Sequence, residues 1–199
     1  MYKKLQNYLV LFFSLFVLSG CGTALVGGAA TLGLATVQER SLKDAAMDLE
    51  IDIRIQDELF RANTEKIFAA VDVIVIEQRV LLVGSVENTK YKDIVASIAW
   101  NTPEVREVLN EITINKNLGL ISEAKDARIS INLTTLLIGD IDISDINFSH
   151  SVSNQIVYII GIAQNEEELN KVINHARAIQ GAKKVISHII LKNDNKRKK

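Results

Sequence analysis

Two stretches of this sequence, RVLLVGSVEN at residues 79–88 and IVYIIGIAQN at residues 156–165, decide the fold because they are copies of one unit. A gapless offset of 77 residues aligns residues 78–114 with residues 155–191, and eight of the aligned pairs are identical. Upstream of residue 78 the best offset is three residues smaller, at 74. This offset aligns Asp52 with Asp126, Arg54 with Arg128 and Ile55 with Ile129. The pattern indicates an internal duplication.

The first copy has the apolar pattern of a unit with two helices and three strands. The predicted elements are a helix with the apolar face Ile51, Ile55 and Leu59, strands over residues 71–76, 79–86 and 105–114, and a helix that starts at the cap Asn88 and ends near Asn101. Apolar residues every four positions indicate the first helix, β-branched residues favour the strands, and Pro103 ends the second helix. Glu77 and Gln78 mark a tight turn between the first two strands.

The second copy repeats this order. Its predicted elements are a helix over residues 122–137, strands over residues 146–153, 156–163 and 185–191, and a helix that follows the cap Asn165 and stops before Gly181. Three glutamates in the first turn of that last helix suit the helix dipole. Each copy is therefore predicted to be an α+β unit, in which two helices pack on one face of a three-stranded mixed sheet.

These elements set the predicted domain boundaries. They are 1–20 for a signal peptide, 21–43 for a tether, 44–116 for the first unit, 117–121 for a linker, 122–192 for the second unit and 193–199 for a basic tail. Both faces of the first sheet are apolar, so we expect the second unit or residues 25–34 to cover the face away from the helices. The second sheet has more polar residues (Ser149, His150, Ser151 and Ser153), so we expect it to be more solvated.

The N-terminus has the three parts of a bacterial lipoprotein signal. A start with two lysines precedes an apolar run at residues 9–18 (LVLFFSLFVL), which ends in the lipobox Leu-Ser-Gly-Cys with its cysteine at Cys21. We expect removal of the residues before Cys21, acylation of that cysteine and attachment to a membrane. A run of ten residues is too short to span about 30 Å of hydrocarbon. The alternative is a membrane anchor that continues to about Val37.

The composition argues against several classes of function. The formal net charge is −1, so there is no overall basic field for a nucleic acid. Lipidation would use the single cysteine, and the three histidines (His150, His175 and His188) lack metal-ligand spacing. We therefore expect no catalytic residue, no metal and no cofactor. The C-terminal basic residues form either a solvated terminus or a weak contact with an anionic surface, and they are Lys192, Lys196, Arg197, Lys198 and Lys199.

Several segments resemble the dual-BON-domain lipoproteins of Gram-negative bacteria. They are RVLLVGSVEN around the repeat glycine Gly84, IVYIIGIAQNEEE around its counterpart Gly161, VREVLNEITI, the lipobox, and the Gly- and Ala-rich stretch after Cys21. The chain departs from the family at the first hairpin turn of each unit. Family members usually have glycine there, whereas this chain has Gln78 and Gln155. Because glutamine does not favour a positive φ, we expect a longer or different turn.

The resemblance implies binding rather than catalysis. BON domains are associated with phospholipid membranes and with the integrity of the outer membrane under envelope stress. In one such lipoprotein the second domain is linked to anionic phospholipid. Lipoprotein sorting by the residue after the cysteine, here Gly22, implies a location at the periplasmic face of the outer membrane. The alternative is an adaptor that contacts outer-membrane assembly proteins or other envelope proteins without recognising lipid.

The first helix of the second unit is the predicted lipid-binding element. Such an element needs an exposed apolar patch beside basic groups. The candidate residues are Lys125, Arg128, Leu133, Leu136 and Leu137. Alternatively, the leucines are simply the core face of the helix. Because Leu136, Leu137 and Ile138 point in three directions, we expect at least one of them to be exposed.

Overall fold

The computed structural model describes residues 41–62, 70–115 and 120–197. The predicted signal peptide, Cys21, the tether as far as residue 40 and residues 117–119 of the predicted linker lie outside the described residues. Within the described ranges, no helix is both long and apolar enough to cross a membrane. These residues form two α+β units of the predicted kind, each with two helices and a three-stranded mixed sheet.

The two units have the same order of elements. The first unit comprises α1 (Leu42–Arg61), β1 (Val71–Ile76), β2 (Arg79–Val86), α2 (Thr89–Asn101) and β3 (Glu107–Ile114). The second comprises α3 (Leu120–Gly139), β4 (Phe148–Ser153), β5 (Ile156–Ala163), α4 (Glu166–Ala178) and β6 (Lys184–Leu191). In each sheet the central strand is antiparallel to the strand before it and parallel to the strand after it. A short 3₁₀ turn, Asp145–Asn147, occupies the predicted start of β4.

Side-chain caps start the second helix of each unit at the predicted asparagines. The Oδ1 atom of Asn88 accepts a hydrogen bond from the backbone N–H of Tyr91 at 3.1 Å. Likewise, Oδ1 of Asn165 accepts from the N–H of Glu168 at 2.9 Å. Each cap satisfies a backbone donor that has no partner inside the helix, which fixes where α2 and α4 begin.

The hairpin turns correct the expectation of a longer or different turn. Each is a two-residue turn in which both central residues have positive φ: 51° and 63° at Glu77 and Gln78, and 55° and 66° at Asn154 and Gln155. These values are those of a type I′ turn, which matches the twist of paired strands. Non-glycine residues adopt this conformation only at a cost, so another interaction must offset that cost.

A buried aspartate of the preceding helix supplies that interaction. The carboxylate of Asp48 accepts hydrogen bonds from the N–H groups of Glu77 and Gln78, at 2.9 and 2.8 Å. In the second unit, Asp126 accepts from the N–H groups of Asn154 and Gln155, at 2.8 and 2.7 Å. One carboxylate therefore holds both donors of the turn and ties the hairpin to the first helix.

These contacts also correct the alignment of the first helices. The structural equivalent of Asp126 is Asp48, which gives an offset of 78 residues instead of the offset that paired Asp126 with Asp52. The buried faces of the two helices follow the same offset of 78 residues. Ile51, Ile55 and Leu59 in α1 correspond to Ile129, Leu133 and Leu137 in α3. Asp52 has a different environment: its Oδ1 atom is buried without a hydrogen-bond partner, and burial raises the pKa of its carboxyl group.

The two repeat glycines lie where neighbouring backbones approach closely. A Cβ atom on Gly84 would lie 2.1 Å from the carbonyl oxygen of Ala70, and the φ of Gly84 is 152°. A Cβ atom on Gly161 would lie 2.6 Å from the carbonyl oxygen of Asn147 and equally close to Phe148 Cδ1. Both positions therefore require glycine for the strands to pair as they do.

The second face of each sheet packs against the other sheet. Alternate residues of the central strands point into this shared core, with Leu81 and Val83 from β2 meeting Tyr158, Ile160 and Ile162 from β5. The second unit, and not another segment, therefore covers the apolar face of the first sheet. The expectation of a more solvated second sheet is wrong, because its outer face is buried in this core.

Polar side chains surround this shared core. The Oγ atom of Ser151 donates to Asp72 at 2.5 Å, so a polar residue of β4 lies at the junction. The Nε2 atom of His188 lies 2.9 Å from Oε1 of Glu111, its counterpart in the repeat. Arg197 lies in the predicted basic tail, and its guanidinium donates to both carboxylate oxygens of Glu77. Arg197 is therefore bound to the first hairpin, contrary to a solvated tail.

Candidate functional site

Helix α3 divides the predicted lipid-binding residues between two faces. Leu133 and Leu137 are buried against the second sheet, together with Ile129. They belong to the core, and this corrects their assignment as lipid contacts. Leu136 is partly exposed, while Lys125 and Arg128 are exposed. The helix therefore keeps both basic candidates and one leucine at its surface.

The exposed face of α3 carries apolar residues that were not among the candidates. Ile131 and Ile138 are each 65 % exposed, and they lie seven residues apart, so they share one face of the helix. Arg128 precedes Ile131 by three residues and lies on the same side. The signal for this stripe was present in the sequence, because Ile131 and Ile138 fall outside the core spacing of Ile129, Leu133 and Leu137. An apolar surface therefore continues directly from a basic one.

The basic end of this stripe lines a concavity of about 380 Å³. Its walls are Lys125, Arg128, Ile129, Gln155, Gln180 and Gly181. Neither Lys125 nor Arg128 forms an ion pair with the described residues. The backbone N–H of Lys183 donates to the carbonyl of Gln155 at 2.8 Å, which brings a further exposed lysine to this end of the unit. The concavity thus combines cationic groups with amide donors, a set that suits an anion.

The other end of α3 is acidic. Asp140 accepts a hydrogen bond from His175 at 2.8 Å and another from the N–H of Asp142 at 3.0 Å. These two contacts, the one with His175 first, hold the pKa of Asp140 below its usual range. Asp142 in turn pairs with Lys171. An anionic ligand would therefore be attracted to the Lys125 end of the helix and not to the Asp140 end.

A larger cavity of about 670 Å³ lies at the junction of the two units, and its walls include Asp72, Ser130, His150 and Ser151. The Oγ atom of Ser130 lies 3.1 Å from Nε2 of His150, and burial lowers the pKa of that histidine. Asp72 accepts from Ser151 and not from His150, so these four residues do not form a Ser-His-Asp relay. In the described part of the chain, no group of three His, Cys, Asp or Glu residues could hold a metal ion.

Comparison with known families agrees with the two-unit architecture. The model of the BON domain matches the chain twice, at residues 48–116 and 125–193. The chain belongs to the BON-domain family. The first BON domain thus carries α1 and α2, and the second carries α3 and α4, with the basic concavity. The resemblance inferred from the repeated segments is confirmed.

Relatives extend this likeness to whole proteins. A protein of Anaplasma centrale, described as an uncharacterized protein in the gshII 5′ region, is 36 % identical over 152 residues, which cover 76 % of this chain and 99 % of the relative. The outer membrane lipoprotein DolP of Haemophilus influenzae is 24 % identical over 184 residues, which cover 92 % and 95 %. The structural protein CdsD of the Chlamydia trachomatis type III secretion system aligns over 70 % of this chain and 62 % of its own at 13 % identity. Its TM-score of 0.30 is too low to indicate a shared overall fold.

Proposed function

We propose that this chain is an outer-membrane lipoprotein, anchored through Cys21, whose second BON domain binds anionic phospholipid and supports the integrity of the envelope. The likeness to DolP, an outer membrane lipoprotein by name, supports the compartment and the anchor. The lipobox at residues 18–21 supports the same attachment from the sequence.

The exposed stripe of α3 carries the proposal. Arg128 and Lys125 lie without ion pairs among the described residues, next to a concavity that could accept a phosphate headgroup. Ile131 and Ile138 continue from them on the same helix and would enter the boundary between headgroups and acyl chains. This order of charge and apolar surface along one helix is the single observation on which the assignment of lipid rests.

The expected contact is weak by itself and is strengthened by the anchor. A basic residue near an anionic membrane contributes about 1 kcal/mol, and salt reduces that contribution. Two such residues and two partly inserted isoleucines give a reversible interaction. The acylated Cys21 would keep the domain beside the bilayer, where its effective concentration is high, so a weak contact is still occupied.

Flotation of residues 22–199 with phospholipid vesicles tests this proposal, because the fragment lacks the acylated cysteine. We expect it to float with vesicles that contain anionic lipid and not with neutral vesicles. Arg128→Glu changes the local charge by two units, so the affinity falls by about 2 kcal/mol, or about thirtyfold. Raising the salt concentration weakens the wild-type interaction in the same direction.

Two matched variants serve as controls. Lys90→Glu makes the same change of charge at an exposed position of α2 and leaves flotation at the wild-type level. Ile131→Asp weakens flotation, whereas Ile53→Asp, at the equivalent position of α1, does not. Binding that is independent of anionic lipid, or equal losses in Arg128→Glu and Lys90→Glu, would contradict the proposal. Lipid-independent capture of an envelope protein through the same face would favour the adaptor instead.

A further inference from the structure

Helix α1 of the first BON domain carries a straight apolar stripe on its outer face. Leu42, Leu49, Ile53 and Phe60 are between 57 % and 71 % exposed. Their spacing places them on one side of the helix, opposite the buried residues Ile51, Ile55 and Leu59. At a rise of 1.5 Å per residue, the stripe is about 27 Å long. Neither the core of the first domain nor the shared core between the sheets uses this surface.

The stripe is symmetric about its own centre. The intervals between its four residues are seven, four and seven, and the gaps are occupied by Ala46 and Gln56. When two such helices lie antiparallel, Leu42 faces Phe60 of the second copy, Leu49 faces Ile53, and Ala46 faces Gln56. The same patch then pairs with itself, as a two-fold interface requires. The six positions also follow the a and d spacing of a heptad, which suits close packing of two helices.

We propose that two copies of this chain associate through their α1 helices in an antiparallel arrangement. The charges beside the stripe argue against an anionic membrane as its partner. Helix α1 has three basic and six acidic residues, a net charge of −3, which opposes contact with anionic lipid. Lys43 is exposed at one end of the stripe, and Asp57 is exposed near the other, where it pairs with Arg61. Antiparallel pairing brings each Lys43 near the Asp57 of the other copy.

The size of the stripe indicates a reversible dimer. Four partly exposed side chains per copy bury less area than a standard stable interface of about 1,600 Å² in total. Attachment of both copies to one membrane raises their local concentration and compensates for the small area. The dimer rests on α1 alone, so it is independent of the lipid-binding face proposed for α3.

Cysteine cross-linking of the full chain in membranes tests both the dimer and its direction. Glu50→Cys places a thiol near the two-fold axis, so a short bismaleimide links two copies. Lys43→Cys places the two thiols far apart along the helix axis, so this variant gives little product by itself. A mixture of Lys43→Cys and Asp57→Cys chains restores the product. The parent chain, with its native cysteine only, provides the background.

Substitutions that disrupt the apolar stripe form the second part of the cross-linking experiment. Adding Ile53→Asp to Glu50→Cys buries a charge in the interface and lowers the cross-linked fraction about tenfold or more. Adding Ile141→Asp, the same change at an isoleucine that is 98 % exposed and lies outside both helices, leaves the cross-linked fraction unchanged. Circular dichroism checks that both variants are folded. Three results would each overturn the proposal. The first is a Glu50→Cys product no higher than the background, and the second is equal cross-linking of Glu50→Cys and Lys43→Cys. The third is a cross-linked fraction that Ile53→Asp does not lower. Loss of vesicle flotation in Ile53→Asp with unchanged cross-linking would also overturn it and assign the stripe to lipid.

Discussion

Removal of the Asp126 carboxylate is the sharpest test of how the hairpins are held. In the second domain, this side chain accepts hydrogen bonds from the N–H groups of Asn154 and Gln155, at 2.8 and 2.7 Å. Both turn residues have positive φ. The variant Asp126→Ala leaves the two donors without their acceptor while the strands still require the turn.

The expected loss follows from the two hydrogen bonds. A hydrogen bond to a charged group contributes about 1.5–3 kcal/mol to the free energy of unfolding. Two such bonds therefore give a loss of about 3–6 kcal/mol for Asp126→Ala, a large share of the 5–15 kcal/mol that stabilises a typical domain. Gln155→Gly removes a left-handed strain of about 1 kcal/mol, so it recovers part of the loss when it is combined with Asp126→Ala.

Urea denaturation followed by circular dichroism measures these free energies. The structural equivalent, Asp48→Ala, is expected to lose as much as Asp126→Ala. The control Asp52→Ala loses far less, because Asp52 has a buried oxygen without a partner in the described structure. A loss below about 1 kcal/mol for Asp126→Ala, or a larger loss for Asp52→Ala than for Asp48→Ala, would refute this reasoning.

Three further changes probe the core and the junction. Burial lowers the pKa of His150, so the unfolded chain binds a proton that the folded chain does not. Unfolding free energy therefore falls as the pH drops below about 6.5, and His150→Gln flattens that dependence in urea titrations at several pH values. Gly84→Ala forces a contact with the carbonyl of Ala70 and costs about 3 kcal/mol or more by the same assay, whereas Gly139→Ala, which meets nothing within 4 Å, costs little. Tyr158→Ala opens a cavity between the sheets and lowers the unfolding free energy by about 3–5 kcal/mol, and a loss below 1 kcal/mol would contradict the shared core.

The sequence predicted the features that depend on local signals. The caps Asn88 and Asn165 begin their helices, and the strands 71–76, 79–86 and 156–163 have the predicted bounds. Each of these features rests on one residue type beside a periodic apolar run, so no distant contact is needed to recognise it.

The turn type and the alignment of the first helices depend on contacts between residues far apart in the chain. The predictions made for both from local sequence were therefore wrong. A positive φ at Gln78 is disfavoured by its own chemistry, and only the carboxylate of Asp48, thirty residues earlier, makes it acceptable. The same contact fixes the offset of 78 between α1 and α3. The eight identities all lie at or after the hairpin turn, so they could not reveal an insertion of one residue upstream of it.

The candidate site was predicted in part for a related reason. Lys125 and Arg128 stay at the surface of α3, but the spacing of its leucines was compatible with either a core or a contact role. The packing of the second sheet on α3 determines these roles, because it buries Leu133 and Leu137 and leaves Ile131 and Ile138 exposed to solvent. The polar residues of β4 led to the wrong prediction of a solvated second sheet for a similar reason, because the first sheet covers the second.

Depth-sensitive labelling of α3 tests the central claim most directly. A single thiol at Ile131→Cys in residues 22–199, where the native cysteine is absent, carries an environment-sensitive fluorophore. Mixing with anionic vesicles should shift its emission to the blue and expose it to quenchers placed on the acyl chains, while the same label at Ile53→Cys stays unquenched. A label at residue 131 that remains in water while the protein floats with the vesicles would contradict lipid binding through α3.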